Sequence, residues 1–157
     1  GAIGKVVAAR AQGFEMKVLA YDPIWDADYA MAHGIEFAEP ECIYQEADFI
    51  SVHMPLTPQT RDFIGAREIA MMKPTAVLVN CARGGIVNED ALYDALKAHR
   101  LYGAGLDVFV TEPHVQKRWF ELDNVLLSPH AAGQSFLATE RMGRMAVENI
   151  ARDLGVI

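Results

Sequence analysis

Residues 1–22 read Gly1-Ala2-Ile3-Gly4-Lys5-Val6-Val7-Ala8-Ala9-Arg10-Ala11-Gln12-Gly13-Phe14-Glu15-Met16-Lys17-Val18-Leu19-Ala20-Tyr21-Asp22, and the fold turns on how they divide. A helical period runs over 3–12 and begins on two glycines three residues apart. An apolar run of strand length follows over 17–21 and ends on a carboxylate. Further along, strand-length apolar runs and helical stretches keep alternating, which is the sequence mark of a parallel sheet covered by helices.

Gly1-x-x-Gly4 fits the last part of G-x-G-x-x-G. A pyrophosphate needs backbone N–H groups and a helix N-terminus pointed at it, and only glycine lets the backbone come so close. Gly1, Ala2, Ile3 and Gly4 are therefore candidate cofactor-binding residues. Asp22 stands 18 residues beyond Gly4, close to the spacing of about 20 at which an acidic residue hydrogen-bonds the adenosine ribose. A carboxylate there repels a 2'-phosphate, so the expected cofactor is NAD rather than NADP. Two glycines three apart also suit a plain helix start, and Asp22 also suits a turn before Pro23; the spacing between them favours the dinucleotide site.

The rest of the chain predicts a helix over 26–32, strands over 36–37 and 49–53, a helix over 66–71 and a strand over 76–80. A helix over 89–98, strands over 104–108 and 125–127, and a long helix over 136–153 complete the pattern. Asn88 suits the cap of the helix whose apolar face is Ala91, Leu92, Ala95 and Leu96, and Pro40, Pro55, Pro58, Pro74 and Pro113 fall between elements. The expected fold is a doubly wound α/β domain of Rossmann type. Such a unit launches its glycine turn from a strand in the middle of the sheet. No strand precedes Gly1, so the expectation is an NAD-binding domain over 1–157 that lacks its first strand and its substrate domain.

Composition narrows the chemistry. With 52% hydrophobic and 22% charged residues the chain reads as one globular domain. A net charge of −7 leaves no basic stripe for nucleic acid or an anionic membrane surface. The apolar runs are too short for a membrane span, which takes about 20 residues. Cys42 and Cys81 lack disulfide-framework or zinc spacing and read as reduced thiols in a cytoplasmic protein. No metal site is expected, and a small molecule is the expected partner.

Longer motifs are more specific. His53-Met54-Pro55-Leu56-Thr57-Pro58-Gln59-Thr60 is followed by Val79-Asn80-Cys81-Ala82-Arg83-Gly84-Gly85-Ile86-Val87. Gly103-Ala104-Gly105-Leu106-Asp107-Val108-Phe109 then leads to Glu112-Pro113, and Asn124-Val125-Leu126-Leu127-Ser128-Pro129-His130 closes the series. In content and order these motifs resemble the D-2-hydroxyacid dehydrogenase family. The resemblance implies NAD-dependent interconversion of a 2-hydroxy acid and a 2-keto acid, with Arg83, Glu112 and His130 catalytic. It also implies cofactor contacts at His53, Thr60, Cys81, Ala82, Arg83, Asp107, His130 and Gly133, with Asp107 on the nicotinamide carboxamide. A homodimer through this domain is implied as well.

The residue types fit that chemistry. A guanidinium grips a carboxylate with two parallel hydrogen bonds, and imidazole gives and takes protons near neutrality. A carboxylate beside the ring stabilises the imidazolium and holds one ring nitrogen. Glutamate at 112 also differs from the glutamine that formate dehydrogenases carry at the matching place. The family includes non-catalytic, NAD-sensing corepressors too, which is the rival expectation. His33, His99 and His114 match nothing catalytic and are expected to be exposed, and Trp25 and Trp119 to pack.

Overall fold

A computed structural model describes residues 1–156. Helix α1 (Ala2–Gln12) is followed by β1 (Val18–Ala20), α2 (Ala27–Ala32), β2 (Ile35–Phe37), α3 (Pro40–Glu46) and β3 (Phe49–Val52). Then come α4 (Ala66–Met71), β4 (Val77–Asn80), α5 (Glu89–Lys97), β5 (Gly103–Leu106), β6 (Val125–Leu127) and α6 (Phe136–Asp153). All strand pairing within the two sheets is parallel: β1 with β2, and β3-β4-β5-β6 in that order. Parallel sheets flanked by helices establish the α/β class.

The single doubly wound sheet expected from sequence is, among the described residues, two sheets, because β1 and β3 do not pair. The split falls where a dinucleotide-binding unit places its central first strand. The start of α1 lies between the C-terminal ends of the two sheets. The Gly1 nitrogen lies 3.0 Å from the Asp22 carboxylate, just after β1. Gly4 sits beside His53 just after β3, where a Cβ would come within 3.7 Å of the imidazole side chain.

Local chemistry explains the boundaries. Asp26 and Asn88 cap α2 and α5 by accepting from the N–H groups of Tyr29 and Ala91, pairing donors a helix start leaves orphaned. Pro40, expected between elements, instead opens α3, where its missing N–H costs nothing and its fixed φ suits the first turn. A 3-10 turn over Lys117–Glu121 was likewise outside the expected elements. Its value is packing: Trp119 is fully buried and meets Tyr93 edge to face, ring centroids 5.9 Å apart. Trp25 is half-buried against Phe37. His33, expected exposed, is half-buried and stacks on Tyr29, because α2 sets the two rings one turn apart on one face.

The main core cluster is built from Tyr44, the β3, β4 and β5 side chains, α5 and Trp119. Small residues in β5 allow its close layers; a Cβ on Gly105 would already touch the Val79 side chain at 3.8 Å. Helix α6 is capped by Ser135 yet has no buried residue, and Phe136 is 91% exposed.

Candidate active site

Strand β4 sits between β3 and β5 and ends in Asn80, a buried amide. Its Oδ1 accepts from the Ala82 N–H at 3.1 Å, and its Nδ2 donates to the Arg83 carbonyl at 3.0 Å. These two bonds fix the turn through Cys81 and Ala82 and deliver Arg83 to the C-terminal end of the sheet, where open parallel sheets hold ligands. The Arg83 side chain is exposed, and its Nη1 donates to the Ala82 carbonyl at 2.6 Å. Gly84 rests on the Phe109 backbone so closely that a Cβ would lie 2.1 Å from the Phe109 carbonyl. Only glycine therefore lets the arginine turn lie against the loop that leads to Glu112.

That loop is held at both ends of the Glu112 carboxylate. Oε1 accepts from the Phe109 N–H at 2.9 Å, and Oε2 meets His130 Nδ1 at 2.8 Å. Glu89, the first residue of α5, accepts from the Val110 N–H and ties the same loop to the helix. The hydrogen bond with His130, then that from Phe109, holds the Glu112 carboxyl below the usual carboxylate range. With Nδ1 engaged, Nε2 is the imidazole nitrogen left to face a substrate. Glu112 and His130, 18 residues apart in sequence, are thus a hydrogen-bonded pair.

Asp107 lies one residue beyond β5 rather than inside the strand, and it is buried. Its Oδ1 accepts from Ser128 Oγ at 2.6 Å and from the Ala131 N–H at 2.8 Å, and Oδ2 accepts from the Ala132 N–H at 2.9 Å. Burial is the largest single influence on its acidity and opposes ionisation. The hydrogen bonds from Ser128, Ala132 and Ala131, with His130 nearby, outweigh it and keep the carboxyl below its usual range.

The remaining cofactor candidates fall on both sides of the split: Gly1 to Gly4 and Asp22 with the β1–β2 ribbon, and His53, Thr60, Cys81, Ala82 and Gly133 after strands of the larger sheet. The first turn of α1 has no side-chain cap and no acidic residue, and a Cβ on Gly1 would meet only open space. That leaves N–H groups available to an anion, as a dinucleotide phosphate requires. Asp22 accepts from the Ile24 N–H at 3.0 Å, and this bond lowers its pKa. His53 is half-buried beside Gly4, its Nε2 2.9 Å from Ser51 Oγ, and burial lowers its pKa. Cys81 is exposed, although partial desolvation and then the Asp107 charge push its thiol pKa up. Thr60 donates to the Pro55 carbonyl at 2.6 Å and otherwise bonds within its own turn through Thr57. Gly133 lies in open space.

Arg83, Glu112, His130 and Asp107 therefore gather at the C-terminal ends of β4, β5 and β6, and Gly1 to Gly4, Asp22 and His53 gather at the start of α1. Sequence reasoning missed Asn80, Glu89 and Ser128. Asn80 had a legible signal, a polar residue ending an apolar strand; Glu89 and Ser128 had none, since their partners are distant in sequence. A surface depression of about 430 Å³, lined by Pro74, His99, Leu101, Tyr102, Asp123 and Asn124, lies at the opposite, N-terminal ends of the strands.

Residues 1–132 match the family described as D-isomer specific 2-hydroxyacid dehydrogenase, NAD binding domain. The chain is 45% identical over 151 residues to the glyoxylate reductase of Korarchaeum cryptofilum, covering 96% of this chain and 46% of that protein. It is 41% identical to the hydroxypyruvate reductase of Thermotoga maritima, covering 99% of this chain and 51% of the relative. The solved structure of Rhodotorula graminis D-mandelate dehydrogenase superimposes with a TM-score of 0.91 at 36% identity, over 97% of this chain and 45% of that one. The chain belongs to the D-isomer specific 2-hydroxyacid dehydrogenases and constitutes NAD-binding-domain sequence of that family. It spans about half the length of the curated relatives it matches.

Proposed function

We propose that the protein carrying this chain is an NAD-dependent oxidoreductase that interconverts a small D-2-hydroxy acid and its 2-keto acid. The observation that carries this reading is the His130–Glu112 pair, 2.8 Å apart, on a loop packed against the Arg83 turn. When bound, NADH supplies the hydride that reduces the carbonyl carbon. In our reading Arg83 holds the substrate carboxylate and polarises the carbonyl, a role suited to its planar fork. His130 donates the Nε2 proton to the carbonyl oxygen as the alkoxide forms, and takes it back in the oxidation direction. Glu112 keeps Nδ1–H engaged and stabilises the imidazolium. Gly1 to Gly4 and Asp22 would hold the cofactor's phosphate and ribose, with His53, Cys81 and Ala82 beside it, and Asp22 would favour NAD over NADP.

We place the protein in the cytoplasm as a homodimer, with residues outside 1–157 completing the substrate pocket, so that these 157 residues alone do not turn over. Among the described residues no helix is long and apolar enough to cross a membrane. The test is NADH consumption by the full protein against glyoxylate, hydroxypyruvate, pyruvate and phosphohydroxypyruvate, with Arg83→Ala and His130→Ala as controls. Turnover on one acid, lowered about 10²- to 10⁴-fold by His130→Ala, is expected. NADH binding without turnover on any acid contradicts the enzyme reading and favours a sensor.

A further inference from the structure

His130 has φ +54°, in the left-handed region that non-glycine residues seldom occupy. A conformation of that kind costs about 1–3 kcal/mol and persists only where the surroundings impose it. The surroundings here are one buried carboxylate. The two residues after His130 both point their N–H groups at Asp107, and the residue two before it, Ser128, donates its hydroxyl to the same carboxylate. Three donors within five residues thus converge on a side chain that is 2% exposed. The loop closes around Asp107, and His130 is the residue bent between the anchor points.

We propose that Ser128 and Asp107 are positioning residues: Ser128 fixes the Asp107 carboxylate, and the carboxylate sets the backbone that aims His130 at Glu112 and the substrate. This rests on the enzymatic reading of His130 and differs from a role for Asp107 confined to the nicotinamide carboxamide. Both Asp107 oxygens already hold the loop, one of them twice. Removing the Ser128 hydroxyl leaves the phosphate and ribose groups at α1 untouched and loosens the Asp107–His130 loop, so kcat read against NADH Kd separates positioning from cofactor binding. Ionised Asp107 is required, because an amide would turn N–H groups toward backbone N–H donors.

The experiment uses Ser128→Ala and Ser128→Thr in the full protein, with kcat, NADH Kd and pH profile measured, and hydrogen exchange of the Ala131 and Ala132 amides followed independently of activity. The expected result is a fall in kcat of about tenfold for Ser128→Ala, the factor corresponding to one lost hydrogen bond. NADH Kd stays within about twofold, below what loss of one hydrogen bond would give, both amides exchange faster, and the acid limb of the pH profile moves up toward the usual carboxylate range as Glu112 loses its partner. Ser128→Thr, which keeps the hydroxyl, restores all of these. Unchanged kcat and unchanged amide exchange in Ser128→Ala overturn the proposal, as does a loss confined to NADH affinity. If the parent protein turns over no 2-keto acid, the enzymatic reading fails, while amide exchange still decides whether Ser128 holds the loop.

Discussion

Two parts of the described chain differ in how much they bury. From Tyr44 to Leu127 the chain closes a continuous core around four parallel strands, and the proposed proton-handling residues stand on its rim. From α1 to β2 it forms a two-stranded ribbon whose strands have no fully buried residue, and Ile24 and Phe14 are 86% and 77% exposed. Two paired strands are marginal on their own, whereas three or more over an apolar face are not. Within the described residues the proposed proton-handling side chains rest on the packed four-stranded part, and the proposed phosphate and ribose contacts rest on the ribbon and the start of α1.

Substitutions sharpen this contrast. Trp119→Ala in the core half is expected to lower stability by about 3–5 kcal/mol, the cost of emptying a large buried aromatic site, measurable by urea denaturation. A loss under about 1 kcal/mol would mean that the core is loosely packed. Gly84→Ala is expected to cost about 1–3 kcal/mol, as forced overpacking does, and also to lower kcat, because the new Cβ must push the Phe109 backbone away from the Arg83 turn. Stability loss without any change in kcat would break the link between that contact and the site.

A smaller effect comes from pH. The folded-state pKa of Glu112 is depressed by His130 and the Phe109 N–H. Its contribution is therefore present above the unfolded carboxylate value of about 4.3 and is lost as pH falls through the lower folded value. Wild type should lose Tm across that acidic window more steeply than Glu112→Gln, by a small margin, since the pair is partly exposed. Parallel curves would contradict it. The smallest effect is expected in the other half: Ile24→Ala should change stability by less than about 0.5 kcal/mol, the range of ordinary surface positions. A larger loss would show that the ribbon is better packed than its exposure indicates.

The same division governs what was legible in the sequence. Helix and strand periods placed every strand and all helices but α3, with boundaries shifted by a residue or two where caps such as Asp26 and Asn88 decide the end. Pro40 misled because proline both separates elements and opens helices. Arg83, Glu112 and His130 were candidates through linked motifs, and the hydrogen bond between two of them could be known only from the fold. Ser128, Glu89 and Asn80 are hydrogen-bonding residues whose significance arises from partners brought close by strand order, and no local pattern announces Ser128 or Glu89. Asp107 was legible as a candidate cofactor contact, but its engagement with the His130 loop was not.

The most direct test of the catalytic account is a double-mutant cycle on the full protein, comparing kcat/KM of His130→Ala, Glu112→Gln and the double variant with wild type. If Glu112 acts through His130, the double variant should be no slower than His130→Ala alone, since residues that work as a unit are not additive. Losses that multiply would show that the two side chains act independently and would contradict the pair as the proton-handling device.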